Sequence, residues 1–512
     1  MQEGQYLMKK ASNCLINVFF FPLIFISFLG SVSVLCNQFI HLPSQGVILL
    51  DFSILLSCFG YVLLQKKGFV NFVIKIAQSD NFRKAIFLLI IFWQIYMILS
   101  ISGFSVWDPG IIIKRAMRSN YGVSNYFSLY PNTISLLYFE HFIWLILGHP
   151  SIKVLTIVLN IINMVLMDSA VFLLTKKISQ NYFLRPIYYL ISLLFIILLI
   201  ISPWICLPYS DVASFAFSAY LLLTFWKISK ETNWKLYLFT GFILFIDYTL
   251  KPSTIIPLIA FIIIEIVFNS KKENWCRTRV KCLALLLLIF IILLGGANIV
   301  KANNHLVSVD KQRSFGMAHY IAMGINGSGG YNLDDVTRDT NIKKRSERNS
   351  TDLNIWKARL KKRGFTGYET FLIGKQIKNT SDGSFGWGKE GIFLQSFKSD
   401  FSIPQFLYIN KQGIAQEYNQ SVSWIFQLGW IVILFGMFFV LHLDSFRIQF
   451  LKYTVVGFWV FLLIFEGGRS RYLIQMLPYI FILSGFGLNC FCKFVNERVS
   501  NTNKMSLFDK KY

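Results

Sequence analysis

Apolar residues run along this chain in long blocks with no period of 2 and little amphipathic stripe. Blocks fall near 14–35, 46–64, 85–103, 132–148, 153–175, 186–203, 212–227, 236–250, 253–268, 281–299, 423–441, 453–466 and 472–491. That makes about thirteen, most near the roughly 20 residues a bilayer-crossing helix needs. Blocks this long and this uniform predict helices solvated by lipid rather than core helices of a water-soluble domain. Two stretches interrupt them, 104–131 and 300–422. The second carries Trp356, Tyr368, Phe371, Trp387, Phe393 and Phe397 among Gly-rich turns, which is too long and too aromatic for a plain connector. We therefore expect an all-α polytopic membrane protein with 12–13 hydrophobic helices and one large folded loop of mixed secondary structure. The expected parts are 1–84, a two-span N-terminal addition; 85–299, a membrane module; 300–422, the loop domain; 423–492, the last spans; and 493–512, a tail.

Charge orients the spans. The chain has 50 Lys and Arg against 26 Asp and Glu, a net of +24, and only 15% of its residues are charged. Soluble domains are about 25% charged. Much of the positive excess falls in short loops, such as Lys66-Lys67 and Lys271-Lys272, as the positive-inside rule requires, so nucleic acid is not an expected partner. Counting back from the basic tail, 467–471, 300–422 and 204–211 share the outer side. Counting forward from a cytoplasmic N-terminus, 104–131 is outside as well. The two counts meet between 131 and 176 with one apolar block too many. The block at 132–148 is expected to be a re-entrant or tilted outer-leaflet helix, because Glu140 and His141 would be costly on a lipid-facing span; the alternative is that a charge-poor segment elsewhere does not cross or that one end of the chain lies outside. Ile111, Ile112, Ile113, Ala116 and Met117 in the first loop suggest a short helix lying on the membrane surface. The eight cysteines show neither zinc spacing nor a disulfide framework.

Candidate chemistry sits at the outer ends of the spans. Trp107-Asp108-Pro109-Gly110 places a carboxylate in a turn, able to act as a general base or to cap the following helix. Tyr130-Pro131-Asn132 opens the 132–148 block, where free N–H groups suit an anion and a Trp/Tyr belt would look the same. Asp211 closes an outer loop without Lys or Arg, as cap or as functional acid. Lys251 stands before Pro252 on the outer side, against the charge bias, as a phosphate partner or a snorkelling lysine. Arg469 and Arg471 likewise break the bias, and Arg forks match phosphate oxygens, unless they pair with Glu466 or a loop carboxylate. In the large loop His319, Asp334, Asp335 and Trp387 have the polar and aromatic character that sugars require, or else build the loop. No nucleotide-binding, metalloprotease or serine-hydrolase motif is present.

The segments WDPG (107–110), YFSLYPNT (126–133), LKPSTIIPLIA (250–260), GMAHYIAMGINGSGGYNLDDV (316–336), DGSFGWGKEG (382–391) and GGRSRYLIQMLP (467–478) carry a resemblance. With them the chain resembles the polytopic glycosyltransferases of the GT-C fold, and more closely a group of Gram-positive integral membrane proteins assigned to that class. The resemblance implies a multi-pass cell-membrane enzyme with an extracytoplasmic active site. It implies a polyprenyl-phosphate-linked sugar as donor, an envelope glycan as acceptor and inverting transfer. By match, Asp108 is the base, and Lys251, Arg469 and Arg471 neutralise the donor phosphate. Trp107, Tyr130, Asn132, Asp211, His319, Asp334, Asp335 and Trp387 are the expected substrate contacts. Relatives often place two acids in the first loop where this chain has only Asp108; either Asp211 supplies the second carboxylate or none is needed, and a divalent metal is possible but not favoured. A lipid-linked-sugar flippase and a glycan polymerase or ligase are the alternatives.

Overall fold

The computed structural model describes residues 2–64, 68, 75, 79–119, 125–269, 273–303, 305–390, 394–397, 402–408 and 421–508. Lys66-Lys67, Lys271-Lys272 and Phe393 lie outside the described residues. The protein is a helical bundle. Among the described residues nine helices are long and apolar enough to cross a membrane. The ones used below are α1 (Gln2–Ile40), α2 (Ser44–Leu64), α3 (Asp80–Ile101), α4 (Asp108–Ala116), α5 (Ile134–Ile146), α6 (Ile152–Ser179), α7 (Ser210–Ile228), α8 (Trp234–Leu250), α9 (Ile256–Asn269), α10 (Glu273–Ala302), α11 (Met317–Met323), α12 (Leu333–Asn341), α13 (Arg345–Thr380), α14 (Ser423–Phe438), α15 (Phe446–Ile464) and α16 (Leu477–Phe508). Phe52, Leu55, Phe59, Leu88, Phe92, Ile291 and Ile292 lie on the outer surface of the bundle. So much exposed apolar surface suits lipid, not water. Trp204, Trp430 and Trp459 fill the interior.

The extra block at 132–148 forms a short helix. Helix α5 has 13 residues, about 20 Å against a hydrocarbon core of about 30 Å. Its Glu140 and His141 are buried in protein, and His141 Nδ1 lies 2.5 Å from the Ala116 carbonyl of α4. Helix α4 is covered by α5 and α6, with Ile112, Ile113 and Ala116 all buried. It does not lie on a lipid surface as its isoleucines suggested, because α5 occupies the space over its apolar face.

Helix α1 does not behave as an addition to the bundle. Phe20 and Ile24 are fully buried in the main core. Its polar side chains tie it to distant parts of the chain. Ser31 Oγ donates to the Ser381 carbonyl at 2.8 Å, Gln427 Nε2 donates to Ser31, and Lys452 Nζ donates to Asn13 and Asn17. Helix α2, by contrast, shows most of its surface outward.

The large loop is helical and grips the first one. Its α11, α12 and α13 fold together, and among the described residues the mixed structure expected there reduces to a two-residue strand. That strand, Gln395–Ser396, pairs antiparallel with Gly103–Phe104. Phe315 N–H also donates to the Leu129 carbonyl, and Phe397 N–H to the Ser102 carbonyl. The stretches that the span count put on one side thus meet at one end of the bundle.

Candidate functional site

Four turns far apart in sequence meet at that end. In the first, Trp107 is extended and α4 begins at Asp108 with Pro109 in its first turn, where a missing N–H costs nothing. Gly110 is obligatory. A Cβ there would fall 1.6 Å from the Ser105 carbonyl oxygen. In the second, Tyr209 is extended and α7 begins at Ser210. In the third, Pro252 ends α8, and the residue before a proline is driven out of the helical region. Lys251 accordingly has φ −146° and ψ 109°. In the fourth, Gly467 and Gly468 (φ +74°) turn the chain back after α15, and Arg469 is extended before the 3-10 turn Ser470–Met476.

The carboxylates do not cap their helices. Tyr209 Oη donates to Asp108 Oδ2 at 3.3 Å. Asp211 meets two cations: Lys251 Nζ at 2.5 Å on Oδ1 and Arg471 Nε at 3.2 Å near Oδ2. Arg471 also lies over the Tyr209 ring, 5.0 Å from its centroid, and 5.8 Å from that of Trp204. The partners proposed for Arg471 from sequence, Glu466 or a loop carboxylate, give way to Asp211. Glu466 instead accepts from the Tyr472 hydroxyl at 2.8 Å.

Burial pushes the Asp108 carboxyl above its ordinary range. Arg471, the Tyr126 and Tyr209 hydroxyls and Arg469 oppose that rise in decreasing order. Tyr126 lies close enough to act on Asp108 without reaching hydrogen-bond geometry. Burial likewise raises Glu466, against the Tyr472 hydroxyl and Arg469. Asp108 adds to that rise, which places the two carboxylates within electrostatic reach. Tyr130, Tyr320 and Tyr331 also feel Asp108 and Glu466.

Asp108, Tyr130, Asp211, Lys251, Arg469 and Arg471 therefore come together, with Trp107 exposed beside them. Asn132 lies exposed at the start of α5. Trp387, Asp334 and Asp335 are engaged elsewhere, and His319 stands at the edge of the cluster, within electrostatic reach of Glu466. Trp387 is fully buried with its ring against Tyr408 and Phe426, so packing occupies it. Asp335 is locked to Arg359 and Arg338, and Asp334 points outward. His319 faces Asp339. Glu466 and the tyrosines 126, 209, 320 and 331 were not singled out as contacts. Their signal was the recurrence of Tyr within the same short segments.

The arginine turn is anchored from below. Lys375, 1% exposed, donates to the carbonyls of Gly324, Leu463 and Phe465 at 2.6, 3.1 and 2.6 Å. Gly468 N–H donates to Asn379 Oδ1, and Gly467 N–H to the Gly329 carbonyl. Lys375→Met leaves three buried carbonyls without that donor. At roughly 1 kcal/mol or more each, the expected loss is about 3 kcal/mol. A thermal melt of the detergent-solubilised protein checks it, and an unchanged midpoint refutes it.

The family described as conserved hypothetical integral membrane protein matches residues 7–490. The chain belongs to that family. The match starts inside α1 and ends in α16, so it takes in the first helix together with all four turns of the site. No curated protein and no solved structure matches the chain.

Proposed function

We propose that the protein is a membrane glycosyltransferase, acting at the outer membrane face with a polyprenyl-phosphate-linked sugar as donor and an envelope glycan as acceptor. One observation carries the reading. Four separate turns gather a proton-hungry carboxylate, Asp108, beside Arg469 and Arg471 at one end of the bundle. In the reaction, Asp108 takes the proton of an acceptor hydroxyl. That oxygen bonds to the anomeric carbon as the bond from carbon to the phosphate oxygen breaks. The electron pair leaves on the polyprenyl phosphate, and single displacement inverts the anomeric centre. Arg469 and Arg471 face the charge that develops on the phosphate, the kind of electrostatic contribution that is often largest. Lys251 has a different role from the one first expected. It is paired to Asp211, and together they hold Arg471. The tyrosines supply hydroxyls and ring faces for sugar. No metal is part of this reading.

The test compares the sugar composition of the envelope glycan with and without the protein, then supplies purified protein with lipid-linked donors. Loss of one sugar component, with release of polyprenyl phosphate in vitro, supports transfer. Loss of a whole glycan without donor turnover would favour a flippase or a polymerase and overturn the reading.

Tyr209→Phe gives a graded check. The Tyr209 hydroxyl helps hold the Asp108 proton affinity down. Without it that affinity rises, and a base works only when deprotonated. The acid limb of the rate profile should therefore move to higher pH while the rate on the alkaline side of that limb stays within a few-fold. An unmoved limb means that Asp108 does not set it.

A further inference from the structure

His319 belongs to a second cluster, within the large loop. One ligand atom from each of His319, Asp339 and Asp352 lies within 4.8 Å of the others. The three come from α11, α12 and α13, and their side chains are 1%, 0% and 0% exposed. Arg338 grips one oxygen of each carboxylate: Nε on Asp339 Oδ1 and Nη2 on Asp352 Oδ1, both at 2.7 Å. That leaves each carboxylate its Oδ2. Asp339 Oδ2 meets His319 Nδ1, while Asp352 Oδ2 is buried with no donor among the described residues and with the Asp339 carboxylate beside it at hydrogen-bond range. The His319 ring stacks on Phe315 with centroids 4.0 Å apart, so its plane is held.

Two buried carboxylates facing one imidazole need a cation or shared protons between them. Arg338 brings one positive charge to both and also binds Asp335. Arg359 is taken by Asp335, and Arg348 gives its donors to the carbonyls of Gln312, Ser314 and Ile342, so that its charge acts on Asp339 and Asp352 from a distance without binding either. One nitrogen and two carboxylate oxygens, oriented by an outer guanidinium, are a donor set for a divalent transition-metal ion. We propose that His319, Asp339 and Asp352 bind such an ion, with zinc as the best fit, and that it clasps α11, α12 and α13 into one unit. The ion takes the place of the proton between His319 Nδ1 and Asp339, so binding releases protons. Tyr320, the next residue, lies within electrostatic reach of Asp108 and Glu466, and its ring meets that of His319 edge-on with centroids 5.2 Å apart. The clasp therefore braces one wall of that site without entering it. The inference stands apart from glycosyl transfer.

The test uses the full-length protein in detergent, without a polyhistidine tag, stripped with chelator and titrated with Zn²⁺. Bound metal is counted by mass spectrometry and stability read by thermal melting. We expect one tightly held zinc per chain and a raised midpoint, both lost in His319→Gln and Asp352→Asn, with affinity down by about 100-fold or more. If those variants fail to fold, Co²⁺ added to the wild-type protein decides by its spectrum. Nitrogen and oxygen ligands show no intense thiolate charge-transfer band. A thiolate band, no stoichiometric zinc, or equal zinc on wild type and His319→Gln would overturn the proposal and leave a proton-sharing cluster.

Discussion

Asp108→Asn should leave the protein inserted and abundant while cutting sugar transfer by at least about 100-fold, the lower end of what a positioned general base contributes. The change is nearly isosteric. The amide still accepts from Tyr209 at the Oδ position that now sits 3.3 Å from that hydroxyl, so little packing is lost. What disappears is the capacity to take a proton. The wild-type pH dependence follows from the same group. Burial raises Asp108 above an ordinary carboxyl, so activity should fall on acidification at a pH above that of a free aspartate, and the limb should vanish with the substitution. Glycan analysis of a deletion strain complemented with wild type or with Asp108→Asn, at matched protein level, is the cellular measurement. Full restoration by the variant would make Asp108 a structural residue and remove the proposed mechanism.

A helix cap was the competing view of both Asp108 and Asp211, and spacing could not choose between them. Both do sit in first turns of helices. Their side chains are drawn away because each has a stronger partner: a tyrosine hydroxyl for one, two cations for the other. Those partners lie on other turns, and nothing local in the chain encodes the meeting. The charge bias encoded part of it. Lys251, Arg469 and Arg471 stood out because the span count put them on the side where basic residues are unusual, and each reaches the cluster.

The helical membrane class was legible for a physical reason, since lipid demands long apolar runs wherever a helix crosses, but the number was not: nine described helices are long and apolar enough to cross, against 12–13 expected. The span count also singled out 132–148 through Glu140, which is buried in protein on the short α5 while Phe142 and Ile146 of the same helix face outward. The position of α1 was not legible. In a bilayer, Phe and Ile serve equally well against lipid or against another helix. The telling residues were Asn13, Asn17, Ser27 and Ser31, small and polar in an apolar run, all now bonded to other helices or to α13. The motif at 316–336 was legible as a unit but not as two. Tyr320 turns to the Asp108 cluster and His319 to Asp339, because adjacent residues on a helix point about 100° apart.

Asp211→Ala should be among the most damaging substitutions in the protein, and its damage should be to folding before chemistry. Asp211 is 2% exposed and receives Lys251 and Arg471 together. Removing it strands two cations in a buried site, for which about 3–5 kcal/mol is the usual cost of breaking even one such pair. The diagnostic is the reverse substitution. Lys251→Met alone leaves Asp211 paired with Arg471, so the loss should be smaller than for Asp211→Ala. Asp211→Asn with Lys251→Met leaves one cation uncompensated instead of two, so it should recover part of what Asp211→Ala loses. Thermal midpoints of the three proteins in detergent give the order directly. If Asp211→Ala melts with the wild type, the triad does not hold the turn. Arg471 would then keep its place through Trp204 and Tyr209 alone, and Lys251 would return to the phosphate role first expected of it.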